Sequence, residues 1–206
     1  LLGALLLNGC QTSGFSLGRS DPDAGPWALG FVTPYAMWGW VEDSATVDVD
    51  GDFYRRIGSG ASEGRKNGTP GASGWLVTGG GNERDVRDAK LPVRIYVRWQ
   101  SVVEPQTYQG WIEIPESARQ VMRDALTKDC PERPELKEIR IGVSVRLGLA
   151  PGGIVQVWAL DECRRAVKVA RGQAEIEPKG PGLGLSGRSY FPQSEASKRY
   201  VEQYGI

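Results

Sequence analysis

Apolar and polar residues alternate with a period of two along several short stretches of the chain. Val93, Ile95, Val97 and Trp99 fall on one side of such a stretch and Arg94, Tyr96 and Arg98 on the other. This predicts a strand with one face in a core and one in water. Residues 27–32 and 35–49 read as strands interrupted at Thr33-Pro34, and the alternation at 47–54 runs into Asp50-Gly51, a hairpin signal. The glycine- and serine-rich run 58–74 lacks the apolar residues of a core element and reads as a mobile loop. Glu104-Pro105 breaks the strand at 93–99, and 107–114 supplies an antiparallel return.

The period then becomes helical. Pro115 suits a first helical turn, and Ala118, Val121, Met122, Ala125 and Leu126 follow at i, i+3, i+4, i+7 and i+8. After a proline-rich connector at 131–134, Ile139, Ile141, Val143, Val145, Leu147 and Leu149 alternate with Arg140, Gly142, Ser144 and Arg146. A turn at 150–153 leads into strands at 154–160 and 164–175. A proline- and glycine-rich loop at 178–188 precedes a short helix at 194–204. No repeat of fixed period occurs. The expected fold is α+β, a mainly antiparallel β-sheet or sandwich with one or two packed helices.

The first residues change the picture of where the chain resides. Residues 1–9 form an apolar run ending in Gly9, followed by Cys10; the run is too short to span a bilayer and has the character of a signal-peptide core. Leu7-Asn8-Gly9-Cys10 resembles the bacterial lipobox, which implies lipidation of Cys10. Residues 10–26 then read as a tether and 27–206 as one globular domain. Gln11 after the modified cysteine points, by analogy with enteric lipoprotein sorting, to the periplasmic face of the outer membrane. Cys130 and Cys163 remain, an even number in a compartment that permits disulfides. Their pairing would stabilise the fold by about 3–4 kcal/mol; two free buried thiols are the alternative.

Composition narrows the chemistry. The 206 residues include no histidine, which removes Ser-His-Asp triads, Cys-His dyads and histidine-bearing zinc sites. The chain carries 25 Lys+Arg against 25 Asp+Glu, so it has no basic footprint for nucleic acid. No metal or other cofactor is expected. The motifs that look catalytic lack their context. Gly182, Gly184 and Gly187 fit a dinucleotide fingerprint without its βαβ unit, and Ser62 lies in a G-x-S-x-G pattern with neither apolar flanks nor a histidine. Asp48, Asp50 and Asp52 open like a calcium loop but lack the later glycine and glutamate. They read as an acidic strand edge, with a second use as a patch for a basic partner. Glu104 and Glu113 could be paired carboxylates only if the fold brought them together. Of seven tryptophans, Trp38 and Trp40 share a strand face and are, with the three aspartates, the candidate partner-binding residues.

Two stretches carry a family resemblance: Leu91 to Glu104 with Thr107-Tyr108, and Gly148 to Trp158. They resemble a bacterial lipoprotein family, domain of unknown function 2931, over roughly residues 27–176. The family offers no catalytic residues to carry over. The resemblance implies, through gene context, an immunity protein that binds and neutralises a type VI secretion effector, a lipase among the candidates. The protein partner is thus expected to be a cognate secreted toxin, and the membrane is met only through the lipid. A structural or assembly lipoprotein of the envelope is the alternative, and a hydrolase using carboxylates or a Ser-Lys pair would require a concave pocket of convergent polar groups.

Overall fold

In the computed structural model, which describes residues 21–64, 74–77, 82–137 and 143–205, the described residues form eleven strands in two sheets. They are β1 (Trp27–Val32), β2 (Trp38–Asp48), β3 (Phe53–Arg55), β4 (Gly60–Glu63), β5 (Arg84–Val86), β6 (Pro92–Ser101), β7 (Gln106–Glu113), β8 (Val143–Leu149), β9 (Ile154–Leu160), β10 (Ala166–Gln173) and β11 (Glu175–Ile176). One sheet has the order β10-β9-β8-β1-β5. The other runs β11-β7-β6-β2-β3, with β4 also paired to β2. Helix α1 spans Glu116–Thr127 and α2 Glu195–Tyr204. The β-rich α+β expectation therefore stands, with two sheets and two helices.

Both sheets and α1 contribute to one core. Leu29 and Phe31 of β1, Val41 of β2, Ile95, Val97 and Trp99 of β6, Tyr108 and Ile112 of β7, and Val145 and Leu147 of β8 belong to it, as do Ala118 and Met122 of α1. The helix packs on β8, β9 and β10, which is what its apolar stripe predicts. Ser194 caps α2, its hydroxyl accepting the Ser197 N–H at 3.2 Å, and Gly205 ends the helix with a φ of 79°.

Several particulars depart from the sequence reading. The stretch 58–74 is not all loop: Gly60–Glu63 pairs antiparallel with Trp38–Val41, and the Ser62 hydroxyl donates to the Phe31 carbonyl at 3.1 Å. Main-chain pairing to a strand edge holds this segment without apolar side chains of its own. Residues 65–73 lie outside the described residues. The parallel pairing of β1 with β8 is also unforeseen, because parallel partners are joined by long connections that local periodicity does not reveal. In β8 the polar positions are as buried as the apolar ones: Ser144 and Arg146 are each 1% exposed. Behind them Trp75 and Trp158 pack with ring centroids 5.2 Å apart.

Residues 21–26, read as the end of a tether, are fastened to the body. Asp23 pairs with Arg123 at 2.7 Å and its carbonyl accepts the Leu91 N–H, while the Pro26 carbonyl accepts from Val143. Cys130 and Cys163 form a disulfide. The apolar run 1–9 and Cys10 lie outside the described residues. Among the described residues no helix is long and apolar enough to cross a membrane.

Candidate functional site

The outer face of the six-stranded sheet, away from the core, gathers most of the polar and aromatic residues that strand alternation leaves unburied. From β6 come Arg94, Tyr96, Arg98 and Gln100, and the register sets Tyr96 opposite Trp111 and Arg98 opposite Gln109 of β7. Strand β2 contributes Trp40 opposite Gln100, then a bulge between Val41 and Asp43. The bulge inserts Glu42 and shifts the alternation, so that Glu42 and Asp43 both line the cavity that also borders Arg98.

Half of this face is covered by the segment after β11. The Glu177 N–H donates to the Thr107 carbonyl, the Gly182 N–H to Glu42 Oε1 at 2.9 Å, and the Phe191 N–H to Gln100 Oε1 at 3.3 Å. Phe191 lies on Trp40, centroids 4.8 Å apart, and in α2 the Ser197 hydroxyl donates to the Ala36 carbonyl while Tyr200 packs edge-on against Tyr35. Glu42 is the hub beneath the segment. Its carboxylate, 8% exposed, also accepts from Arg98 Nε at 3.0 Å and Gln100 Nε2 at 2.8 Å.

Between the covering segment and the sheet lies a cavity of about 580 Å³, with Trp40, Phe191, Leu183 and Leu185 among its apolar walls. A second cavity of about 370 Å³ is lined by Arg55, Arg56, Arg84, Arg98 and the two acids Glu42 and Asp43. Glu42, Ser59 and Arg98 border both, so the two make one groove with an apolar end and a guanidinium-rich end.

Among the described residues, nothing covers the other half of the face. Phe53 is 56% exposed and Trp111 39%. Their centroids lie 6.2 Å apart, Tyr96 stacks obliquely on Trp111 at 5.5 Å, and the Arg94 guanidinium sits 4.6 Å above the indole. Tyr96 donates its hydroxyl to Gln109 Oε1, and burial, the leading cause, raises its pKa above the usual phenol value. Aromatic rings and arginine held rigidly on a sheet are the residue types that dominate protein–protein contacts.

The five residues expected to meet a partner divide. Trp40 is a groove wall, and Trp38 lies half-buried beside it on the same strand. Asp48 is turned inward, 1% exposed, and accepts the backbone N–H groups of Asp50, Asp52 and Lys90 at 3.0, 3.0 and 3.1 Å. It builds the hairpin turn and is not available to a basic partner, because three orphan donors claim its carboxylate. Asp50 pairs with Lys90 at 2.7 Å, and Lys90 reaches Asp21 as well. The Asp21 carboxylate first and then that of Asp50 hold the Lys90 ammonium above the ordinary lysine range. Asp52 is exposed.

The catalytic-looking motifs also resolve into structure. Gly182, Gly184 and Gly187 take φ values of 58°, 74° and 78°, so glycine serves a tight loop whose first N–H is bound to Glu42. Ser62 is a buried strand residue. Glu104, in the turn before β7, accepts the Gly152 N–H at 2.9 Å, while Glu113 lies at the far end of that strand, about 24 Å from its start. The sulfurs of Cys130 and Cys163, close to Glu132, are bonded to each other and offer no thiolate to a metal. Sequence reasoning missed Trp111 and the arginines at 55, 56 and 84. The wet side of the 93–99 strand was the one available signal.

The family described as protein of unknown function (DUF2931) matches residues 17–206, a span that takes in the covering segment and α2. No curated protein and no solved structure matches the chain.

Proposed function

The chain belongs to the DUF2931 family, and from that premise we propose that it is a binding protein without catalysis of its own. In this reading it is an outer-membrane lipoprotein held through Cys10 on the periplasmic face, an immunity protein that neutralises a type VI secretion effector. The observation that carries the binding role is the bare half of the six-stranded sheet, where Phe53, Trp111, Tyr96 and Arg94 stand on rigid backbone with two large aromatics in water. Such side chains lose little conformational freedom on docking and bury large areas. The Cys130–Cys163 disulfide fits an oxidising compartment. The immunity role itself rests on the family resemblance and its gene context.

The test is protection. Cells producing the neighbouring effector in the periplasm are expected to survive with the full chain present and to die without it. A Phe53→Asp, Trp111→Asp double variant should lose protection while folding normally, because both side chains are exposed. If deletion of the gene leaves cells no more sensitive to sibling attack, the immunity role falls.

A further inference from the structure

We infer that the groove between the covering segment and the six-stranded sheet receives an acidic segment of the protein partner, with carboxylates against Arg55, Arg56 and Arg84 and an apolar side chain at the Trp40 and Phe191 end. The inference rests on the reading of the protein as a binder and deepens it by giving the partner's chemistry.

Charge carries the first part of the argument. The whole chain is neutral, 25 basic against 25 acidic residues, yet five arginines (Arg55, Arg56, Arg84, Arg98 and Arg188) and only two acids line the groove. Arg98 is satisfied by Glu42. That leaves Arg55, Arg56 and Arg84 in the cavity that Asp43 also lines and Arg188 in the other, and none of the four is seen in an ion pair among the described residues. Concave walls concentrate such a field, so an incoming anion gains from charges that otherwise repel each other. Arginine's planar fork suits bidentate capture of a carboxylate.

Backbone conformation adds an independent sign. Arg56, at the guanidinium-rich end, is held at a φ of 56° and Leu183, at the apolar end, at 58°. Non-glycine residues pay for left-handed backbone, and such positions cluster where a ligand is gripped. Shape then selects the ligand. A small anion would fill only the guanidinium end and leave the larger cavity, with Leu183, Leu185 and Phe191 exposed around it, unfilled. A polypeptide stretch that sets Asp or Glu beside an aromatic or aliphatic residue matches both ends at once.

The experiment selects a random dodecapeptide library displayed on phage against the full chain, and measures the enriched peptides by fluorescence anisotropy. The expected peptides place acidic residues next to an apolar one, bind more weakly as salt rises from about 0.05 to 0.3 M, and lose about tenfold or more in affinity for an Arg55→Glu, Arg84→Glu double variant. An Arg56→Gly variant, which tolerates the left-handed backbone and removes the whole side chain with its guanidinium, should weaken the same peptides; it serves should the double variant fail to fold. Absence of any enriched peptide, enrichment without acidic residues, or affinities unchanged in both variants would overturn the inference. Because no toxin is used, the outcome separates from that of the protection assay. Acid-selecting peptides with unprotected cells leave the groove standing and remove the immunity role; protection unimpaired by the arginine variants, with charge-indifferent peptides, does the reverse.

Discussion

Gly30 is the position at which a single methyl group should be most damaging. It lies in β1 directly opposite Arg146 of β8. A Cβ there would stand 1.6 Å from Arg146 Nη1, 2.7 Å from Cζ and 3.1 Å from Cδ. Arg146 is 1% exposed, and its Nη2 donates to Glu83 Oε2 at 2.7 Å, so the guanidinium cannot yield into solvent without leaving its partner. Burial, the leading cause, already pulls the Arg146 pKa below the usual arginine value, with the Glu83 carboxylate opposing. Breaking a buried ion pair from one side costs about 3–5 kcal/mol. Glu83 retains 16% exposure, which favours the lower end, and alanine's reduced unfolded-state entropy offsets about 0.4–1 kcal/mol. Gly30→Ala should therefore destabilise by about 2–3 kcal/mol in urea unfolding followed by tryptophan fluorescence. In an Arg146→Met background the methyl meets only a flexible thioether chain, and the same substitution should cost under about 1 kcal/mol, a coupling of about 2 kcal/mol. An equal cost in both backgrounds would refute the reasoning.

Replacing Cys130 and Cys163 together by alanine should cost about 3.7 kcal/mol from the loop of 33-residue separation, read as a lowered urea midpoint; a loss below about 1 kcal/mol would contradict it. Asp48→Ala, which strands three backbone donors, should cost about 2–3 kcal/mol, whereas Asp52→Ala should change stability by less than about 0.5 kcal/mol, and equal effects would sink the distinction between them. Burial first, and the neighbouring Glu104 carboxylate next, push the Tyr108 pKa up to about 12 from near 10 in an unfolded chain. The folded state resists ionisation, so this contribution is full below pH 10 and is lost as pH rises toward about 12; Tyr108→Phe should flatten that alkaline decline in a pH series of melts. Glu42→Ala should free the covering segment and speed proteolytic cleavage within 178–191, a change absent if the segment is held by Phe191 and α2 alone.

Local structure was legible wherever one face of an element is apolar. The 93–99 strand, the 118–126 helix stripe, the Asp-Gly hairpin and the short terminal helix all appear where periodicity and turn residues put them. The candidate site was only half legible. Trp40 could be read from its strand face, but Asp48 was misread, because an aspartate before a turn looks the same in sequence whether it points to water or gathers the turn's own N–H groups. Nothing in the sequence set Trp111 apart from the other tryptophans. Only the β6–β7 register, which sets it beside Tyr96, and the open ground next to Phe53 make it a surface residue.

The sequence by itself determined the longer strands and the two helices, the absence of imidazole chemistry and the pair of cysteines able to close one loop. Tertiary structure decided which polar groups are buried, through Arg146 set between Gly30 and Trp158 on the neighbouring strands and Glu42 under the 178–191 segment. It also made the groove from residues near 40, 56, 84, 98 and 190. The physical reason is that periodicity encodes the two faces of one element, whereas what covers each face is set by partners distant in the chain, including the parallel β1–β8 pair and a glycine-rich segment laid across a sheet.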